Sequence, residues 1–227
     1  LTKGNYQGAL ITQKAALDQY RLKREGEVST LKLSDLLLNY GVIHFLKGLD
    51  HLGNKFQAES VQEIQRACQH FCLAREQFQE ALTLAPQDVY ILDEYARVSF
   101  NLAYQQNTVE IAQPYWQDTI ETFRKVIASE EKFSLGYDAL LESTAFLAHA
   151  YSKSEQFSKA KYTIDLLNTC SPNYWLIHYI ESCYYCLQYK GTAQEEFLRK
   201  ALKCLQKAVN IPSSLNYAKE ESLTDPD

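Results

Sequence analysis

The stretch Ala148–Pro172, AHAYSKSEQFSKAKYTIDLLNTCSP, constrains the fold of this chain more than any other. It reads as the end of one helix, a short turn and a second helix. Ala148 is small, Tyr151 stands near the end of the first helix, and Phe157 opens the second. Ala160 follows Phe157 at a spacing of three, and Pro172 closes the segment. A small residue on the first helix lets the second cross closely, and the large Tyr and Phe fill the wedge between them. Pro stops the second helix, because it has no N–H to donate and its ring clashes with the preceding turn. Units of this kind bury their core against their neighbours, so the chain has to be helical and has to stack.

The order recurs. Ala74, Phe78, Ala81 and Pro86 repeat the second-helix spacing, and Leu37, Tyr40, Gly41 and His44 hold first-helix positions ahead of them. The run from a small residue and Tyr to an Ala and a closing Pro resembles the tetratricopeptide repeat (TPR). The resemblance covers nearly the whole chain and is closest at Ala148–Pro172 and Ala74–Pro86. It implies an all-α fold, a right-handed TPR-like α-solenoid of about nine antiparallel helices.

Taken in order, residues 1–30 form a leading helix without its pair. Tyr6, Ala9 and Ala16 repeat the gaps of Phe157, Ala160 and Leu167. The chain starts at Leu1 and holds no Met, so a fragment of a longer protein or a trimmed N-terminus is expected. Residues 33–86 form the first pair. Its first helix is expected from Leu33 to Leu52, with Ser34 as N-cap and Gly53-Asn54 as its end. Gly41 in mid-helix costs about 1 kcal/mol relative to Ala, which calls for close approach of the partner helix as its reason. The second helix is expected from Ala58 to Leu84, both members being longer than usual. The pair 88–131 opens on Asp88 as cap, and Pro114 sets the start of its second helix near Gln113. The pair 134–172 follows. In the pair 173–212, Ser182 and Tyr185 face Ala201, Leu205 and Ala208, and Pro212 closes the segment. The Tyr185-to-Ala201 gap exceeds the Tyr151-to-Ala160 gap, which places an insertion at Tyr189–Gln194. Residues 213–227 form a polar tail, and the whole is one repeat domain.

Apolar residues make up 46%, which excludes a disordered chain, and the 8 Gly and 5 Pro supply too little turn chemistry for an all-β fold. The net charge of -5 and the dispersed Lys and Arg give no nucleic-acid footprint. Arg21–Glu25, the densest basic run, reads as a solvated helix end. Neither a long apolar span nor a signal peptide is visible, so no membrane insertion and an intracellular, cytoplasmic or other reducing compartment are expected. Cys68, Cys72, Cys170, Cys183, Cys186 and Cys204 read as reduced, packed thiols rather than a disulfide framework or a zinc site. No phosphate loop, nucleophile elbow, zinc helix or calcium loop occurs. His44, His51, His70, His149 and His178 each stand apart in sequence from an acid or nucleophile. The chain is therefore read as no enzyme, with no cofactor and no metal.

In the TPR family the first helix of each pair lines a concave groove that binds partner peptides. Carried over by resemblance, the groove positions are Asp35, Leu38, Val42 and Phe45, then Asp93, Ala96, Phe100 and Ala103. They continue with Glu142, Ala145, His149 and Ser152, then Leu176, Tyr179, Cys183 and Cys186. None is Lys or Arg, which disfavours the subclass that clamps a C-terminal carboxylate. Asp35, Asp93 and Glu142 would form an acidic rim above an apolar floor, suited to a peptide or amphipathic helix with Lys or Arg along one edge. The function implied is a non-catalytic protein–protein interaction scaffold. The alternatives are a regulatory or sensor TPR region of a larger multidomain enzyme and an RNA-binding helical repeat.

Overall fold

The computed structural model describes residues 6–22, 30–53 and 61–211, with the backbone alone for 22, 30–32 and 53. These residues form nine α-helices and no strand. The helices are α1 (Tyr6–Leu22), α2 (Thr30–Gly53), α3 (Val61–Leu84), α4 (Val89–Tyr104) and α5 (Val109–Ala128). A 3₁₀ turn (Lys132–Leu135) precedes α6 (Tyr137–Lys153), α7 (Phe157–Cys170), α8 (Trp175–Thr192) and α9 (Glu195–Asn210). The chain divides into two compact units, Leu1–Glu131 and Lys132–Asp227. The Gly53-Asn54 helix stop, the closing Pro212 and the 213–227 tail lie partly or wholly outside the described residues.

In the first unit each helix packs on the next, and the interface of α2 with α3 is the largest. Both helices have 24 residues, as the wide spacing between the Gly41 and Ala74 signatures implied. Gly41 is buried, and a Cβ built there would stand 2.4 Å from Phe78 Cε1. Gly48, one heptad on, repeats the arrangement: its Cβ would stand 2.4 Å from Phe71 Cε1. Both rings are fully buried, so two notches on α2 receive two rings of α3. Ser34 is not the N-cap of α2. The helix begins at Thr30, and Ser34 lies buried inside it on the stripe that also carries Leu37, Gly41 and Gly48. Leu33 already packs against the core, which draws the helix back past the expected start.

Asp88 caps α4, its Oδ1 accepting from the backbone N–H of Tyr90 at 2.9 Å and of Ile91 at 3.2 Å. The side chains of Tyr95, Val98, Ser99 and Leu102 on α4, and of Thr119, Phe123 and Val126 on α5, are all buried. The start of α5 differs from the expectation. It begins at Val109 with Thr108 as N-cap, and Pro114 sits inside its second turn. Pro114 is exposed, so the carbonyl it leaves without an amide donor is on the solvent side of the helix. Arg75 on α3, Tyr95 on α4 and Asp118 on α5 tie three helices together. Arg75 pairs with Asp118, Tyr95 Oη donates to Asp118 Oδ2 at 3.2 Å, and the guanidinium lies over the rings of Tyr95 and Tyr115.

In the second unit α6 packs on α7 and also on α8, and α8 packs on α9. Ala148, Tyr151 and Ala160 are buried at the α6–α7 crossing. The turn between them is a helix stop of the Schellman type, with the Gln156 N–H bonded to Tyr151 O at 2.8 Å and the Glu155 N–H to Ser152 O at 3.1 Å. Glu155 takes the left-handed position, at φ 57°, that glycine usually holds. Phe157 turns edge-on to Tyr184 of α8 at 6.0 Å, so it wedges toward the following helix. Ser182 donates to the backbone carbonyl of Ala201 at 2.9 Å, which brings α9 close to α8. The inserted residues lengthen the helices: α8 continues to Thr192, and only Ala193 and Gln194 separate it from α9.

Gly41→Ala and Gly48→Ala are each expected to destabilise the chain by about 1–3 kcal/mol, because the new methyl group meets a buried ring. Gly191→Ala, with nothing within 4 Å of its Cβ, is expected to leave stability unchanged or raised. Denaturant midpoints of the three variants check the contrast. Ala148→Leu is expected to cost a similar amount, about 1–3 kcal/mol, at the α6–α7 crossing.

Candidate functional site

The residues carried over as groove positions fall mostly inside the two units. On α2, Asp35 is exposed, Leu38 and Val42 are half-buried against the core, and Phe45 is buried with its ring 5.7 Å from that of Phe71. On α4, Ala96 and Ala103 are buried, and Phe100 is half-buried, edge-on to Trp116 at 5.3 Å. Asp93 is buried too, and Arg97 Nε, one turn on, donates to its Oδ2 at 2.7 Å. That ion pair compensates the Asp93 charge locally, so Asp93 does not stand as a bare acid on a rim. On α6, Glu142 is half-buried while Ala145, His149 and Ser152 are buried. On α8, Leu176, Tyr179 and Cys183 are buried and Cys186 is half-buried. The expected apolar floor is thus largely core, because small and apolar residues on these faces are covered by other helices.

The open apolar surface lies elsewhere in the first unit. A cleft of about 750 Å³ runs along α3, lined by Val61, Ile64, Cys68, Cys72 and Leu73, with Gln105 and Asn107 from the turn between α4 and α5. Val61, Ile64 and Leu73 are exposed at 72%, 37% and 40%. Val61, Ile64, Cys68 and Cys72 recur every three or four residues, which puts them on one face of the helix. The polar groups of the lining are amides, Gln65, Gln69, Gln105 and Asn107, rather than charges. A long uncharged apolar strip edged by amides suits an apolar helical face better than a small ionic ligand.

A second cleft, of about 640 Å³, belongs to the second unit and is polar. It gathers Asn168 at the end of α7, His178 and Glu181 on α8, and Lys207 and Asn210 on α9. Asn168 Nδ2 donates to Glu181 Oε2 at 3.2 Å. His178 Nε2 stands 2.8 Å from Pro172 O, so that nitrogen carries the proton. The arrangement braces the 171–174 turn against α8.

Three of the histidines that sequence separates come together between α2 and α3. His44 Nδ1 lies 3.0 Å from His70 Nδ1, the His51 ring stacks on His70 at 5.5 Å, and His51 Nδ1 lies 2.7 Å from Glu63 Oε2. The heptad spacing of His44 and His51 on one helix, and of Glu63 and His70 on the other, carried this signal. The thiols are less buried than expected. Cys183 and Cys204 are buried and Cys68 and Cys186 half-buried, but Cys72 and Cys170 are exposed. Burial, together with the neighbouring Glu181 carboxylate, pushes the Cys204 thiol up to about 12. Among the described residues no group of three or more His, Cys, Asp or Glu is placed to hold a metal ion, and no helix is long and apolar enough to cross a membrane. No protein-family model matches this chain, and neither a curated protein nor a solved structure matches it.

In the folded chain a thiol reagent at neutral pH is expected to modify Cys72 and Cys170 and to leave Cys183 and Cys204 untouched until denaturant is added. Peptide mapping after timed labelling gives the order. Early modification of Cys204 would contradict the packing of α9 on α8.

Proposed function

We propose that this chain is a non-catalytic, TPR-like helical-repeat scaffold that binds an amphipathic helix or peptide from a protein partner. The observation that carries the reading is the apolar strip on α3, open to solvent along a cleft of about 750 Å³ and edged by amide side chains. Small residues set into helix crossings, at Gly41, Gly48 and Ala148, support the repeat architecture, and the right-handed solenoid belongs to the same proposal. The anchor residues of the partner lie along one helical face and fill the strip between Ile64 and Leu73. The net charge of -5 favours a partner with Lys or Arg on its solvent edge. Binding energy comes from buried apolar area, about 25 cal/mol per Å² before ordering costs.

A peptide library displayed against the chain tests this. Selected sequences are expected to share apolar residues at helical spacing, and Ile64→Glu with Leu73→Glu is expected to weaken them at least about tenfold, roughly 1.4 kcal/mol or more, with helicity retained. Selected peptides that keep their affinity for this double variant would place the binding surface off α3.

A further inference from the structure

The largest interface in the first unit has imidazoles at its centre. His44 is buried at 6% exposure on α2, and His70 is half-buried on α3. Their Nδ1 atoms face each other at 3.0 Å. Two nitrogens at that distance need one N–H and one lone pair. The contact therefore survives with both rings neutral or with one imidazolium. With two imidazoliums, two N–H groups point at each other and the contact breaks.

The charges around the pair oppose a second proton. The rings of Tyr40 and His44 lie edge to face, 4.7 Å between centroids, and the His51 ring covers His70, with 8° between the planes. The charges that act on the pair are Lys47 and His51 from α2, all of one sign when protonated. Glu63 on α3, the carboxylate beside His51, is already engaged by His51 at 2.7 Å and by Arg66 at 2.8 Å. Among the described residues, α1 and α4, which also pack on this hairpin, contribute no charge that acts on either ring.

We infer that His44 and His70, with His51 stacked on His70, form a proton-sensitive latch that holds α2 against α3 at neutral pH and releases it on acidification. The latch sits beside the Gly48 notch, because His70 precedes Phe71, the ring that fills it. Loosening there frees the part of α3 that carries Cys68, Gln69 and Cys72 into the apolar cleft. The latch stands whether or not that cleft holds a helix.

Burial, reinforced by Lys47, lowers both imidazoles from 6.5 to about 4. The sign follows. A histidine whose folded value lies below its unfolded value stays neutral in the fold, so its stabilising share is whole above 6.5 and drains away between 6.5 and about 4.

The test is an NMR titration of the imidazoles in the intact chain, joined to thermal midpoints of the parent and of His44→Gln with His70→Gln. A glutamine amide keeps a hydrogen-bonding group at each position and does not titrate. His44 and His70 are expected to titrate well below 6.5, with shift changes that track each other. Between pH 7.5 and pH 5 the parent is expected to lose roughly 5–10 °C more of its midpoint than the double variant. Imidazoles titrating independently near 6.5 would overturn the latch, and that reading needs no variant. An equal loss in parent and variant would overturn it too. A midpoint raised at pH 7.5 by one equivalent of Zn²⁺, in the parent only, would make the pair a metal clip and not a proton latch.

Discussion

The rings of Phe71 and Phe78 occupy space that any side chain on α2 larger than hydrogen would need. Everything in the first unit is arranged around that close approach. It brings the α2 and α3 backbones together over their length, and Leu37, Phe45, Ala67, Ala74 and Ala81 then close the core on either side. A mid-helix glycine carries an entropic cost of about 1 kcal/mol, and α2 carries two. Fully buried phenylalanine rings outweigh that cost, since burial of such a side chain contributes about 1.5–3 kcal/mol.

Polar groups are placed where they join helices. Arg75, Tyr95 and Asp118 link α3, α4 and α5, and Ser182 reaches across to the backbone of α9. Asp93 with Arg97 shows why an acidic residue at the start of a helix cannot be read from sequence as a surface charge. An arginine one turn away brings its partner on the same helix, and the pair can then be covered. The imidazoles of α2 and α3 follow the same logic, with a neutral contact substituting for an ion pair.

How much of this was legible follows from what carries each signal. The helix pairs were, because small residues, aromatic wedges and helix stops are local and recur at fixed spacing. Asp88 as a cap and Gly41 as a crossing point are of that kind, and both stand where expected. Ser34 misled because serine caps helices and also serves as a small buried residue, and only the tertiary neighbours decide between the two. Pro114 misled because a proline on the solvent face can remain inside a helix. The groove was the least legible part. Burial of α4, α6 and α8 depends on which faces other helices cover, and a single helix pair does not encode that. The apolar strip on α3 is visible in sequence as Val61, Ile64, Cys68 and Cys72, but there it is indistinguishable from a core stripe.

The two notches on α2 have a further consequence, for how this hairpin tolerates change in length. Sliding α3 by one turn would set Phe78 opposite Leu37 or Phe45, both buried side chains with no room for a ring. A full heptad away, Ser34 would take the place of Gly41, and its Cβ would meet the ring as any side chain there does. Neither shift has a place for both rings, so the register is single. An insertion or deletion between Gly41 and Gly48, or between Phe71 and Phe78, breaks the match of the two spacings and dismantles the core.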